Sequence, residues 1–434
     1  MDKMADVLGR AGAWCGQNKY LSAIKNAFQN FMPLTIAGAI GVLWCNVLVN
    51  DQTGLGLFFK PIMALDFLNP AFQAVNFCTI SCITVGITLG IAQEIGVWNM
   101  GAEKAGYIPG LVGLAAWLSV TNTSHMVEGA KEAFTGIAGN ELGATGLFTG
   151  MIIGVLSVEL FCFFEKQDAL KIKMPEQVPP GVARAFEVLV PATITLIITA
   201  CIGSACYNLT GLYLNDVIKN GIQGPLGAVG ATIPGVMIIY LVIMLFWLVG
   251  IHGNNMLSAV KEALFTPLAL ENVEKFNKGE KPTNIINMYA LQMWGEFGGS
   301  GVTIGLVIAI MIFGKREDNK AIASLSLVPG LFNINETVTF GIPMVLNPIL
   351  GIPFVFACLV TILVGYVLTV IGFCPVACLT VPWTTPPIVF GFLACGANVM
   401  GAVTQAILIV VSTVIYVPFL ISYEKYQNKQ AAEA

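Results

Sequence analysis

The chain has 434 residues, of which 56% are hydrophobic and only 11% charged, with a formal net charge of −4. Globular chains are roughly 25% charged, and a soluble protein of this length could not cover its surface with so few charges. This composition excludes a soluble globular protein and indicates a membrane protein, whose sides lipid solvates. No basic run indicates a nucleic-acid partner.

The first 25 residues are too polar to span a bilayer but have a helical period. Met4, Val7, Leu8, Ala11 and Trp14 recur at helical spacing, with polar residues facing elsewhere. This pattern predicts an amphipathic helix that lies on the membrane surface. No short apolar core precedes a cleavage site, so we expect no removable signal peptide.

Stretches of the length that crosses a bilayer, about 20 apolar residues, follow along the chain. Eight are clear: 27–49, 71–93, 105–121, 146–164, 186–209, 231–250, 346–371 and 398–422. Three more are apolar but broken by Gly, Pro and polar residues, and could be short spans, re-entrant hairpins or both: 285–314, 322–345 and 374–396. The sequence predicts an all-α polytopic membrane protein, and about ten transmembrane helices with hairpins fit this pattern.

Basic residues near the span ends predict the orientation. Four precede the first span, and four more lie in the linker after the fourth: Lys3, Arg10, Lys19, Lys25, Lys166, Lys171, Lys173 and Arg184. Four spans separate these groups, so both lie on one side, which their charge makes cytoplasmic. An even number of spans also places the C-terminus in the cytoplasm. The polar loop 121–145, where His125 is expected to be a solvated loop residue, then faces outside.

The linker KIKMPEQVPPGVARAF contains three prolines and several charges, so it cannot remain in lipid and is the best internal boundary. We expect an N-terminal membrane half at 1–210, with the surface helix and about five spans, and a C-terminal membrane half at 211–434. No loop is long enough to hold a soluble domain. The eleven cysteines include no CxxC pair, and we interpret them as small core residues, with no metal or cofactor expected.

Two polar segments interrupt apolar stretches, where ionisable groups are costly and often functional. In FWLVGIHGNNML, His252 lies between glycines and is followed by Asn254 and Asn255. The glycines allow the backbone to leave helical geometry and approach a ligand. The alternative is a helix end at which His252 bonds a backbone carbonyl.

The second segment is LFNINETVTFGIPMVLNPIL, in which Asn335 and Glu336 interrupt an apolar run before Gly341 and Pro343. A broken polar segment at membrane depth must be surrounded by protein or a water-filled cavity, as in transporter sites. The alternative is a structural salt bridge, although no Lys or Arg lies nearby in sequence. We predict that Glu336 and His252 meet in a solute site.

Two further motifs are less specific. GEFGGSGVTIG has five glycines in eleven residues, which fits close helix packing as well as a function, and it lacks the lysine of a phosphate-binding P-loop. VPWTTPP holds Trp383 between prolines, where the indole could stack on a sugar face or lie at the lipid interface.

Taken together, MPEQVPPGVARAF, GIHGNN, GEFGGSGVTIGL, NINETVTFGIPMVLNP and VPWTTPP resemble the membrane (IIC) component of the phosphoenolpyruvate-dependent sugar phosphotransferase system. The resemblance is to its lactose, cellobiose and diacetylchitobiose branch. The motifs occur in the expected order from about residue 170 onward. One departure is Thr337, where this family commonly has proline.

The resemblance implies ten spans with two re-entrant hairpins, a homodimer formed mainly through the N-terminal half, and a sugar site in the C-terminal half. It also implies a cytoplasmic IIB protein that carries a phosphocysteine and a IIA protein that recharges it. The chain should therefore be the plasma-membrane permease subunit and not itself carry the phosphoryl group. Cellobiose or diacetylchitobiose is the expected substrate.

Phosphoryl transfer to a sugar 6-hydroxyl requires that the hydroxyl be oriented in line with the donor and that a base accept its proton. We expect Glu336 to accept the proton and His252 to orient the hydroxyl. Asn254, Asn255 and Asn335 would bind other hydroxyls, and Trp383 would provide a stacking face. Two alternatives remain: an ion-coupled secondary transporter that uses Glu336 and His252 as a proton relay, and an intramembrane enzyme acting on lipid-linked substrates.

Overall fold

A computed structural model describes residues 10, 13–14, 17–51, 55–125, 134–175, 177–342 and 344–433. Within these ranges the chain is mostly helical, which confirms the predicted fold class. The strands of the described residues form one short antiparallel hairpin of β1 (Ser124–His125) and β2 (Phe134–Thr135). The predicted surface helix depends on four residues that lie outside the described ranges, Met4, Val7, Leu8 and Ala11, and it stays a prediction.

The helices, in chain order, are as follows. The first ten are α1 Lys19–Leu43, α2 Asn69–Cys78, α3 Ile83–Met100, α4 Ala102–Ala105, α5 Ile108–Val120, α6 Gly139–Leu142, α7 Ala144–Glu165, α8 Pro180–Thr210, α9 Leu214–Ile218 and α10 Gly224–Gly230. The others are α11 Ile233–Leu248, α12 Gly253–Met256, α13 Ser258–Asn277, α14 Met288–Gly295, α15 Ile304–Phe313, α16 Glu317–Leu331, α17 Glu336–Gly341, α18 Gly351–Val370, α19 Val389–Ala394 and α20 Val399–Glu433. Short 3-10 or π turns occupy Trp44–Leu48, Leu55–Leu57, Lys60–Leu68, Ile80–Cys82, Asp168–Leu170, Lys219–Gln223 and Ser300–Val302.

Six helical stretches in the described part of the chain are long and apolar enough to cross a bilayer. They are Lys19–Leu48, Lys60–Met100, Ala144–Glu165, Pro180–Thr210, Gly351–Val370 and Val399–Glu433. The pair Met288–Val302 and Ile304–Phe313, bent by 60°, makes a seventh if it is one span, and α5 and α11 are shorter apolar helices. All eight clear stretches of the sequence therefore coincide with helices.

The three broken stretches are interrupted where their glycines, prolines and polar residues fall. The first forms α14 and α15 around the bend, the second forms α16 and the short α17, and the third is mostly irregular before α19. These segments carry the GEFGGSGVTIG, NINET and VPWTTPP motifs, whereas GIHGNN follows α11.

The chain divides into two compact units by its internal contacts. The N unit comprises Gln17–Gly38 and Ala74–Gly227, and the C unit comprises Met1–Gly16, Ala39–Gln73 and Ala228–Ala434. The assignment of dimerisation to 1–210 and of sugar binding to 211–434 stays a prediction.

Small residues allow α3, α5, α7 and α8 of the N unit to pack closely. Gly150 and Gly154 of α7 lie directly against Thr88 of α3, and Gly113 of α5 lies against Ala92 of α3. Trp117 of α5 is fully buried among Ala116, Val120 and Ile153.

Glu165, at the end of α7, is buried but well paired. Its Oε1 lies 2.8 Å from Lys104 Nζ and 3.1 Å from Arg184 Nη1, and Arg184 also pairs with Glu187 at 2.8 Å. Without such partners, a buried carboxylate would lower the stability of the fold by about 3–5 kcal/mol, the loss typical of a broken buried ion pair. The cluster fastens the start of α8 to the end of α7.

In the C unit, the long helix α20 packs against α15, α18 and α19. Gly305 of α15 lies against Ser412 of α20, and the Tyr416 hydroxyl donates to the carbonyl oxygen of Gly301 at 2.7 Å. Gln405 Oε1 accepts from the backbone N–H groups of Ile388 and Gly391 at 2.7 and 2.8 Å. The helix α20 thus holds both the bend before α15 and the irregular segment before α19.

We expect Gly150→Ala to lower the thermal unfolding midpoint of detergent-purified protein. A Cβ at this position would overlap Thr88 Oγ1 and lie 2.9 Å from Thr84 Cγ2, and overpacking of this kind costs about 1–3 kcal/mol. Gly181→Ala is the matched control, since no neighbouring heavy atom lies within 4 Å of the added Cβ. Circular dichroism during heating should separate the two variants; equal midpoints would contradict the packing described here.

Candidate functional site

The glycine-rich motif after α14 forms a loop that only glycine accommodates well. Gly298, Gly299 and Gly301 have φ values of 69°, 85° and 76°, in the left-handed region that L side chains avoid. A Cβ on Gly299 would lie 2.6 Å from the Cβ of Asn335, and one on Gly301 would overlap the ring of Phe354. The glycines therefore bring this loop directly against the segment before α17.

Asn333 fastens three of the polar motifs together. It has a left-handed backbone with a φ of 63°, which asparagine tolerates better than most residues. Its Oδ1 accepts from the N–H of Gly298 at 2.7 Å, and its Nδ2 donates to the carbonyl oxygens of Trp383 and Thr385, the latter at 3.0 Å. One amide thus joins the glycine loop, the segment before α17 and the VPWTTPP segment.

Ser300 links the next pair of asparagines. Asn254 Nδ2 donates to Ser300 Oγ at 2.9 Å. Asn335 Nδ2 donates to the Ser300 carbonyl at 2.9 Å and to Thr339 Oγ1 at 3.2 Å. Asn335 is buried, so both of its amide hydrogens serve the protein framework.

A buried ion pair lies beside these asparagines. Lys261 of α13 pairs with Glu296, and its Nζ also donates to Asn254 Oδ1 at 3.0 Å. Glu296 Oε1 accepts a further hydrogen bond from the Tyr240 hydroxyl at 2.7 Å. The two opposite charges compensate each other.

His252 and Glu336 lie close together although 84 positions separate them in the sequence. His252 Nε2 lies 3.8 Å from Glu336 Oε1, and the two side chains are 37% and 48% exposed. The imidazole packs on the ring of Trp247, with centroids 4.5 Å apart. Its Nδ1 accepts from the N–H of Asn255 at 3.2 Å, so the neutral ring carries its hydrogen on Nε2, facing Glu336.

The predicted site residues thus lie within one connected arrangement of the C unit. His252 faces Glu336, Asn255 contacts His252 through its backbone, and Asn254 and Asn335 meet through Ser300. Trp383 is joined through its carbonyl to Asn333, and its side chain is 44% exposed. Their roles toward a sugar stay predictions.

Sequence reasoning missed Lys261, Tyr240 and Ser300. Lys261 follows Asn254 by seven residues, which is two helical turns, and this spacing could have placed both on one face. Tyr240 and Ser300 gave no such signal, because only the fold brings their elements to Glu296 and Asn254. Among the described residues, no group of three or more His, Cys, Asp or Glu side chains could hold a metal ion.

Comparison with known proteins points to one family. The profile described as "Phosphotransferase system, EIIC" matches residues 25–358. The chain is 33% identical to the oligo-beta-mannoside-specific EIIC component of Bacillus subtilis (strain 168), over 98% of this chain and 94% of that protein. It is 29% identical to the cellobiose-specific EIIC component of Lactococcus lactis subsp. lactis (strain IL1403), over 98% of each.

A solved structure is also similar. It is the crystal structure of the transporter ChbC, the IIC component from the N,N'-diacetylchitobiose-specific phosphotransferase system. The TM-score is 0.88 at 29% sequence identity, with 97% of each chain covered.

We expect the unfolding midpoints of Asn333 variants to fall in a fixed order. Asn333→Gly keeps the left-handed backbone but leaves the partners of the amide unsatisfied, at a cost of about 1–3 kcal/mol. Asn333→Ala adds the left-handed penalty of roughly 1–2 kcal/mol and should unfold at a lower temperature still. Hydrogen exchange at 383–385 should be faster in both variants than in the wild type. If the alanine variant were as stable as the glycine variant, the backbone at Asn333 would not be strained.

Proposed function

Because the chain belongs to the phosphotransferase system EIIC family of membrane sugar permeases, we propose that it binds an external disaccharide, carries it across the bacterial plasma membrane and presents its 6-hydroxyl for phosphorylation. EIIC components work with IIA and IIB partners. The single observation that carries the proposal is the open gap between His252 and Glu336.

That gap suits a hydroxyl group. At 3.8 Å, His252 Nε2 and Glu336 Oε1 are too far apart for a direct hydrogen bond, although both are partly exposed. A sugar hydroxyl placed beside both could accept from the Nε2 hydrogen and donate to the carboxylate. The imidazole would orient the oxygen, while Glu336 would receive the proton as the oxygen attacks the phosphoryl group of IIB.

The surrounding residues would fix the rest of the sugar. Asn254 and Asn255 are accessible enough to bind hydroxyls, whereas Asn335 is buried and its amide hydrogens are donated to the protein, so its contribution would be to hold the neighbouring Glu336 in place. The half-exposed indole of Trp383 could cover an apolar face of a sugar ring. Thr337, next to Glu336, is exposed as well, so this position could contribute to substrate choice.

The substrate proposed here is a β-linked disaccharide, cellobiose or diacetylchitobiose. Support comes from similar proteins that are specific for oligo-beta-mannoside, cellobiose and N,N'-diacetylchitobiose. Binding of radiolabelled cellobiose, diacetylchitobiose and lactose to purified protein would rank these candidates.

The remaining features of the proposal concern the assembly. We place both termini in the cytoplasm, the side from which IIB would deliver phosphate from its phosphocysteine and IIA would recharge it. The chain would act as a homodimer and move the sugar by alternating access. As a transport subunit it would not phosphorylate sugar alone.

We expect Glu336→Gln to abolish phosphorylation of bound disaccharide while retaining measurable binding, because glutamine can hold a hydroxyl but cannot accept its proton. Proteoliposomes with phosphorylated IIB and radiolabelled sugar would measure both quantities. The control is Glu317→Gln, a carboxylate 87% exposed in its side chain at the start of α16. Undiminished sugar phosphorylation in Glu336→Gln would remove the role given to this residue, and accumulation of unmodified sugar on a proton gradient alone would favour an ion-coupled transporter.

We expect His252→Ala to weaken sugar binding by about tenfold or more, the loss typical of a removed hydrogen bond that leaves its partner unpaired. Equilibrium binding to detergent-purified protein is the measurement. An unaltered affinity would show that His252 only ends a helix and packs against Trp247.

A further inference from the structure

Lys261 is a buried lysine that the phosphorylation chemistry does not use. It is only 5% exposed and lies on α13, which directly follows the short helix α12 with His252 at its N-terminus and Asn254 within it. An unpaired ammonium in such a place would be expensive, so its partners decide what it does. They are Glu296 and Asn254 Oδ1, the latter at 3.0 Å.

Glu296 and Tyr240 also lie beside this ammonium. The Tyr240 hydroxyl donates to Glu296 at 2.7 Å, and Lys261 Nζ lies 5.4 Å from the centroid of the Tyr240 ring. Tyr240 is fully buried. These contacts fix the position of the lysine, and its hydrogen bond to Asn254 connects it to the partly exposed part of the site.

The chemistry of an ammonium dictates which way the Asn254 amide faces. An ammonium can only donate, so Asn254 must turn its oxygen toward Lys261. Its Nδ2 then points the other way, and one hydrogen donates to Ser300 Oγ at 2.9 Å. Within the described residues the second Nδ2 hydrogen has no acceptor. A reversed amide would instead set its hydrogens against the ammonium.

We propose that the Lys261–Glu296 ion pair is a positioning device that holds Asn254 as a hydrogen-bond donor to an acceptor oxygen of the disaccharide. This inference rests on the proposed function. Lys261 fixes the direction of the Asn254 amide by donating to its oxygen, and Glu296 compensates the buried positive charge. Ser300 fixes the far side of the amide, and its carbonyl extends the same constraint to Asn335, next to Glu336.

The decisive variant is the double substitution Lys261→Met with Glu296→Gln, which removes both charges of the pair. Each single substitution strands a buried charge and should lower both the unfolding midpoint and the sugar affinity. The double variant should regain most of the midpoint and still bind sugar about tenfold or more weakly, because the Ser300 hydroxyl can donate as well as accept and no ammonium then selects the direction of the Asn254 amide. A merely structural ion pair would instead let stability and affinity recover together, which would overturn the proposal.

Kinetics give a second readout. The weakened contact precedes phosphorylation, so the double variant should show a raised KM for sugar with kcat close to wild type when phosphorylated IIB is the donor. In an Asn254→Ala background, the double substitution should weaken binding no further, since the two act through one contact. Lys275→Met, on the same helix but bonded to Thr283, is the control and should bind sugar normally.

Asn254→Asp decides the matter should the double variant not fold. A carboxylate at 254 pairs with Lys261 but has no hydrogen to donate, so we expect a folded protein with at least about tenfold weaker sugar binding. Wild-type affinity in this variant would refute the donor role. The parent protein and His252→Ala are measured alongside: if the parent binds no disaccharide, the proposed function fails, whereas normal parent binding with an unaffected Asn254→Asp defeats the positioning role alone.

Discussion

Asn333 donates to two carbonyl oxygens of the VPWTTPP segment and accepts from the glycine loop, and Asn335, two residues later, donates to the same loop. These hydrogen bonds fulfil a requirement that applies to every irregular segment within a bilayer. Lipid offers no hydrogen bonds, so non-helical backbone must be satisfied by protein or by water in a cavity. In the C unit the interrupted segments provide hydrogen-bond partners for one another, and these bonds hold the predicted site residues close together.

The charged residues of the protein fall into two kinds, those in buried ion pairs and those that are partly exposed. Glu165 contacts Lys104 and Arg184 at 2.8 and 3.1 Å, and Lys261 and Glu296 are paired beside Tyr240. His252 and Glu336 differ, since they are partly exposed and remain 3.8 Å apart. Burial is compatible with the first pairs because their charges are compensated. His252 and Glu336 are where the proposed function places the sugar hydroxyl.

The positions of the membrane helices could be read from the sequence because hydropathy is a local property. All eight clear apolar stretches coincide with helices, and the three doubtful ones bend or break. His252 and Glu336 could also be singled out as candidates from the sequence, since an ionisable residue in an apolar run is costly and often functional. Lys261 escaped notice because it lies among ordinary charged residues of SAVKEALF, where nothing local reveals that the fold buries it.

By itself, then, the sequence indicated a membrane protein, the positions of its helices, the segments in which they are interrupted, and His252 and Glu336 as polar residues that meet. The order of its motifs also indicated the family. Only the tertiary structure decided that Asn333 would join three motifs, that Lys261 would face Glu296 and Asn254, and that His252 would present Nε2 to Glu336. The physical reason is range. Hydropathy depends on neighbours along the chain, whereas the direction of a hydrogen bond depends on partners that packing brings from distant segments.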